Sequence, residues 1–105
     1  KALTVLPGPD NRIAYYESNG EETVSHPQDI HPTTYAEATG IGEIIRRKQA
    51  LLAAAGKRGE LMVLIKPANG ASYKNAVDLL DEMSINRVER YAFMDIAGWE
   101  AGYFR

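Results

Sequence analysis

Residues 61–83, LMVLIKPANGASYKNAVDLLDEM, set an apolar run, a loop holding Gly70 and Ser72, and a helical pattern in the order that phosphate cradles use. A P-loop needs two glycines four residues apart followed by Lys and Ser or Thr, so that several amides and one ammonium converge on the phosphates. The loop KPANGASYK has one glycine, loses an amide to Pro67 and sets no lysine beside its serine. Gly70 therefore reads as a turn residue and Ser72 as a helix N-cap. The GIG at 40–42 has Ile45 where a dinucleotide fingerprint wants a third small residue, and it lacks a strand just before it. It reads as a looser start to a helix.

The segment HPQDIHP holds both histidines of the chain, and His26, Asp29 and His31 are the residues that could converge on a cation. Pro27 and Pro32 stiffen it in extended form, and no zinc-type spacing is present, so the histidines read as loop residues without a metal. Asp78, Asp81 and Glu82 form an acidic group on the second helical pattern, the usual composition of a solvated helix face. No nucleophile, base and oxyanion set can be assembled around them, which argues against an enzyme. No cofactor is implied. A remaining chemical option is anion binding at the helix starts near Gly42 and Ser72, where unpaired amides favour negative charge.

The elements that must position these residues follow from the apolar periodicity. The 105 residues suffice for one domain, 1–105, with a single core. ALTVL at 2–6 and RIAYYE at 12–17 flank the turn-forming PGPDN and predict an antiparallel hairpin. The polar stretch 18–34 reads as a loop, with room for a short strand at Thr23–Ser25. GIGEIIRRKQALLAAAG puts Ile41, Ile44, Ile45, Leu51, Leu52 and Ala55 on one helical face, with Lys48 snorkelling from it. Gly56 suits the left-handed position past the helix end. Leu61–Ile65 predicts a central strand covered on both faces, ended by Pro67. Tyr73, Ala76, Val77, Leu80 and Met83 predict the buried stripe of a second helix. Residues 90–96 predict the last strand, parallel to 61–66 through a right-handed crossover. The expected class is α+β, α/β-like: a small open mixed sheet of four to five strands in the order ββαβαβ, with two helices on one face.

A net charge of −2 and short cationic clusters flanked by Glu43 and Glu60 make nucleic acid an unsuitable partner. The absence of cysteine excludes disulfides and thiolate metal sites and is silent on compartment. The start at Lys1 without Met leads us to expect a processed or excised piece.

Two helices on one face leave the other face of the sheet to be covered. Tyr91 and Phe93 point to one side of the last strand, and Ala92, Met94 and Ile96 to the other. Three closures stand as alternatives: the tail GWEAGYFR, a second copy, or a partner peptide adding a strand. The expected partner or dimer surface is Arg90, Tyr91, Phe93 and Asp95 with the tail aromatics Trp99, Tyr103 and Phe104.

The segment ELMVLIKPANGASYKNAVDLLDEMSINRVERYAFMDI, 60–96, resembles the periplasmic domain of the ExbD/TolR biopolymer-transport family. GIGEIIRRKQ, 40–49, looks like that family's first helix, and LTVLP like its opening strand. The matching residues are fold-determining and carry no catalytic signature. The resemblance implies the periplasmic face of the bacterial inner membrane, a homodimer, and a non-enzymatic role in proton-driven energy transduction to the outer membrane. It further implies an ExbB-like or TolQ-like membrane partner, engaged through an N-terminal transmembrane helix that this chain does not contain. A TonB-like or TolA-like protein is the other implied partner. The family's proton-carrying aspartate belongs to that helix, so Asp78, Asp81 and Asp95 are not its counterparts.

Overall fold

The computed structural model describes residues 2–18 and 29–105. Strand β1 (Ala2–Pro7) and strand β2 (Ile13–Ser18) form the expected antiparallel hairpin, with Val5 opposite Tyr15. Between them Asp10 and Asn11 take left-handed backbone at φ 56° and 60°. Short polar Asx side chains tolerate that conformation, and the Asn75 amide donates to Asn11 Oδ1 at 3.0 Å, tying the turn to the second helix.

A short strand, β3 (His31–Thr33), pairs antiparallel with β2 inside the stretch that reads as loop. A Pro-containing, three-residue strand has no detectable alternation, so pairing to β2 and the contact of His31 with the Tyr15 ring, 5.6 Å between centroids, define it. The strand expected at Thr23–Ser25 lies outside the described residues, as does His26.

Helix α1 (Ile41–Ala54) leads to β4 (Met62–Ile65), which lies parallel to β1. Helix α2 (Tyr73–Ile85) then crosses to β5 (Arg90–Phe93), parallel to β4. The sheet has five strands in the order β3-β2-β1-β4-β5, so the fold is an open mixed α+β sheet. Gly56 takes φ 72°, and Lys57 N–H donates to Leu52 O, closing α1 as its C-terminal sequence predicts. β5 ends at Phe93, short of the expected Ile96, and the chain continues into a short helix, α3 (Gly98–Ala101).

One core lies between the helices and the sheet. Leu3, Val5, Val63 and Ile65 alternate onto that face and meet Ile41, Ile45, Leu52, Leu79 and Met83. Both helical stripes are rotated from their sequence expectation. In α1 the buried line is Ile41, Ile45, Gln49 and Leu52, while Leu51 is 70% exposed and Ala55 lies at the exposed end. In α2 it is Asn75, Leu79 and Met83, while Tyr73 is 86% exposed and Leu80 faces solvent. Polar residues enter these lines because each finds partners. Gln49 Nε2 donates to Asn86 O at 2.8 Å, and Asn75 makes the helix cap. Hydrogen bonding removes most of the burial penalty, and an apolar-only pattern cannot foresee it.

The opposite face divides in two. Over β1 and β2, Leu6, Ala14, Tyr16 and Ile30 are covered by Ile96, Trp99, Tyr103 and Phe104 from the C-terminal segment. Over β4 and β5, Met62, Leu64 and Ala92 are only half-buried and Met94 is 49% exposed. The expectation that β4 is covered on both faces is therefore corrected: Met62 and Leu64 stay half-buried, and the C-terminal apolar side chains gather on β1 and β2.

Candidate partner-binding surface

Among the described residues β5 is the outer strand of the sheet, so one row of its backbone groups has no neighbouring strand there. Which groups these are follows from a single bond. Met94 N–H donates to Ile65 O at 2.9 Å, so Met94 turns its backbone toward β4, and Ala92 and Arg90 share that orientation. Tyr91 and Phe93 must then present N–H and C=O outward. Their side chains lie on the helix-bearing face, in register with Val63 and Ile65, and are 44% and 46% exposed.

The other sequence-predicted residues separate from this strand. Asp95 follows it and lines a shallow depression with Pro67, Phe93 and Met94. Trp99, Tyr103 and Phe104 lie on the β1–β2 half, where Trp99 meets Tyr16 at 5.4 Å between ring centroids. Arg12 stacks over Phe104 at 5.1 Å and Tyr103 at 5.9 Å. The expected surface is thus two regions: Arg90, Tyr91 and Phe93 with Asp95 at an open edge, and the tail aromatics used as cover.

The tail is held by a charged group that sequence reading missed. Glu100 is fully buried and accepts from Tyr16 Oη at 2.5 Å, from Lys66 Nζ at 3.0 Å and from Ala97 N–H at 2.8 Å. Burial, and next the hydrogen bond to Glu100, push the Tyr16 hydroxyl up to about 12. A buried carboxylate persists when its oxygens are satisfied and a cation is close. The only signal in the sequence was Glu100 three residues after Ala97, a spacing that lets its side chain reach back to the first free amide of a helix.

The two long edges of α2 differ in chemistry. Successive helical residues are about 100° apart, which places Asp78, Asp81, Glu82 and Ile85 on one side and Tyr73, Ala76, Val77 and Leu80 on the other. The acidic side faces α1: Glu82 lies against Gly42, and Asn86 Oδ1 accepts from Arg46 at 3.2 Å. α1 itself sits over β2, where Lys48 pairs with Glu17 at 2.6 Å. The apolar side of α2 therefore faces away from α1.

The alternative chemistries take these positions. At Ser72, Oγ accepts from Asn75 N–H at 3.1 Å and Asn75 Oδ1 accepts from Ser72 N–H at 3.0 Å, a reciprocal cap that occupies both amides. Gly70 turns the loop at φ 92° against Pro9. At the start of α1 the Glu82 carboxylate already lies beside Gly42. Asp78 accepts from Lys74 at 2.9 Å and Asp81 is exposed. Beside them the Tyr35 hydroxyl is buried without a partner among the described residues. Desolvation, with the Asp78 charge second, raises it to about 12. Among the described residues no three acidic or histidine side chains are grouped to hold a metal, and no helix is long and apolar enough to cross a membrane.

Compared with known proteins, the chain matches no family model, no curated protein and no solved structure.

Proposed function

We propose that the chain is a non-enzymatic, partner-binding domain of a proton-driven energy-transduction complex of the ExbD/TolR type, at the periplasmic face of a bacterial inner membrane. In this reading its partners are a second copy, an ExbB-like or TolQ-like membrane protein, and a TonB-like or TolA-like protein. The observation that carries it is the β5 edge, where Tyr91 and Phe93 are exposed and turn outward backbone donors and acceptors that no other described strand pairs. An edge of this kind binds an extended segment by strand addition: the backbone supplies affinity and alternate side chains supply choice. The open mixed α+β sheet, which adds β3 to the expected ββαβαβ order, and the resemblance of 60–96 support the family assignment.

The test is an amide-resolved NMR titration of the isotope-labelled chain with extended peptides taken from TonB-like and TolA-like proteins. Saturable shifts confined to residues 90–94 are expected. Shifts at Ala71–Tyr73 on adding phosphate or nucleotides, with none at 90–94 from any peptide, would replace this reading with an anion-binding one.

A further inference from the structure

The three methionines of the chain stand in three different environments. Met83 is 1% exposed and belongs to the core with Leu79 and Val63. Met62, in β4, is half-buried. Met94 is 49% exposed and follows the end of β5. A thioether becomes a sulfoxide at a rate that follows its access to solvent, so the fold ranks these sulfurs in the order Met94, Met62, Met83.

Position gives the exposed one a consequence. Met94 N–H donates to Ile65 O at 2.9 Å, which continues the alternation of β5 by one residue and puts the Met94 side chain on the face of Ala92. That is the uncovered half of the second sheet face, which Met62 and Leu64 share. Met94 also lines the shallow depression with Pro67, Phe93 and Asp95. An extended segment added beside Tyr91 and Phe93 lays alternate side chains over this face, where Met94 offers an apolar and adaptable contact. In the sulfoxide the same sulfur carries a hydrogen-bond acceptor, which loses its water when a segment covers it. In the free chain that oxygen stays hydrated, because the residue stands half in solvent. Oxidation at Met94 therefore acts on association and spares the fold. At Met83 it would act on the fold, since an added oxygen there enters a packed core.

We propose that Met94 is an oxidation site, and that its conversion to the sulfoxide by a peroxide weakens binding at the open half until the sulfoxide is reduced again. The sulfur lone pair attacks one oxygen of hydrogen peroxide and the O–O bond breaks; the departing hydroxide takes the proton from the transferred oxygen and leaves as water. Sulfur loses two electrons and the peroxide gains them. Two thiols reverse the change, giving the thioether, water and a disulfide. The proposal rests on the reading of the β5 edge as the binding surface and adds a redox control to it.

Trypsin separates the three methionines, because Lys66 precedes Pro67 and is not cut: Met62 lies on 59–74, Met83 on 75–87 and Met94 on 91–105. After brief treatment of the folded chain with hydrogen peroxide, mass spectrometry is expected to find one added oxygen on 91–105, localised by fragmentation to Met94 and not to Trp99. Peptide 59–74 should follow more slowly, and 75–87 only in urea. The chain oxidised at Met94 should bind extended peptides from TonB-like and TolA-like proteins at least about tenfold more weakly than the reduced chain. Shifts at 90–94 report that affinity, and the urea midpoint should not move. The two stereospecific methionine sulfoxide reductases together should restore binding. Met94→Leu, apolar and of similar volume, should bind equally well before and after peroxide. Oxidation of 59–74 or 75–87 as fast as 91–105 in the folded chain overturns the site. Undiminished affinity of the chain oxidised at Met94, or a Met94→Leu chain that loses affinity as wild type does, overturns the control of binding. A reduced chain that binds no peptide at 90–94 removes the proposed function and this control together, while the order of oxidation still decides the site.

Discussion

The two halves of the second sheet face have similar apolar content but different neighbours. Over β1 and β2, Leu6, Ala14 and Tyr16 are buried under Trp99 and Phe104, and the cover is fastened by Glu100 to Tyr16 and Lys66. Over β4 and β5, Met62, Leu64 and Met94 keep contact with water, and no described strand pairs with the outer edge of β5. Fastening by a buried ion pair costs desolvation, so it is weak evidence for added stability. It does select one position for the tail. The comparison teaches that residues 96–104 cover the β1–β2 half, and that the half over β4 and β5 is where association can occur without unfolding anything.

Glu100→Ala should break the covered half most severely. It leaves Tyr16 without its acceptor and Lys66 without its counter-charge. A loss of about 3–5 kcal/mol in urea unfolding is expected from stranding one member of a buried pair. A loss below about 1 kcal/mol would mean the tail is not held by this residue. Trp99→Ala removes half-buried aromatic area from the same cover and should cost about 2 kcal/mol, less than truncation at a fully buried site.

Alkaline pH probes the same half through Tyr16. Its folded-state value, about 12, exceeds the ordinary value of 10.0, so the folded chain holds that proton more tightly than the unfolded chain. Stability from this group is complete below pH 10.0 and is lost as pH rises toward about 12. The expected loss across that window is of order 1–2 kcal/mol. Tyr35 contributes in the same direction and range, so the decisive measurement is the difference between wild type and Tyr16→Phe, whose unfolding curve should fall less steeply there.

The open half should respond in the opposite manner. Phe93→Lys and Tyr91→Lys replace partly exposed rings with stems that can lie along the same surface. Each should change unfolding free energy by less than about 1 kcal/mol. The same changes should abolish association and peptide-induced shifts. A loss comparable with that of Glu100→Ala would show that β5 is structural cover and not a docking edge.

Much of the fold was legible because its signals are local. Alternation in ALTVL and RIAYYE around PGPDN dictates a hairpin, and Ser72 with the later helical run dictates a capped helix, as the reciprocal Ser72–Asn75 bonds bear out. The outer strand and its aromatic residues were also legible, since Tyr91 and Phe93 sit in a terminal β-prone run. The strand β3 was not, because its three residues owe their conformation to pairing with β2. The division of the expected surface was equally hidden. Nothing near Trp99 says that its ring meets Tyr16, far away in the sequence, while Phe93 stays in water.

By itself, then, the sequence determined the order and kind of the main elements, the turn at Gly70, the cap at Ser72 and the apolar character of both faces of the last strand. These depend on backbone preference and on side-chain periods of 2 and 3.6, which act over a few residues. Tertiary structure decided which side of α2 is buried, where the tail lies and which half of the sheet stays open. Helix periodicity marks an apolar stripe without naming what it meets. Asn75 could replace Tyr73 in the core because a folded neighbour, Asn11, supplied its hydrogen bond. Glu100 could be buried because Lys66 and Tyr16 converge on it only after the sheet has formed.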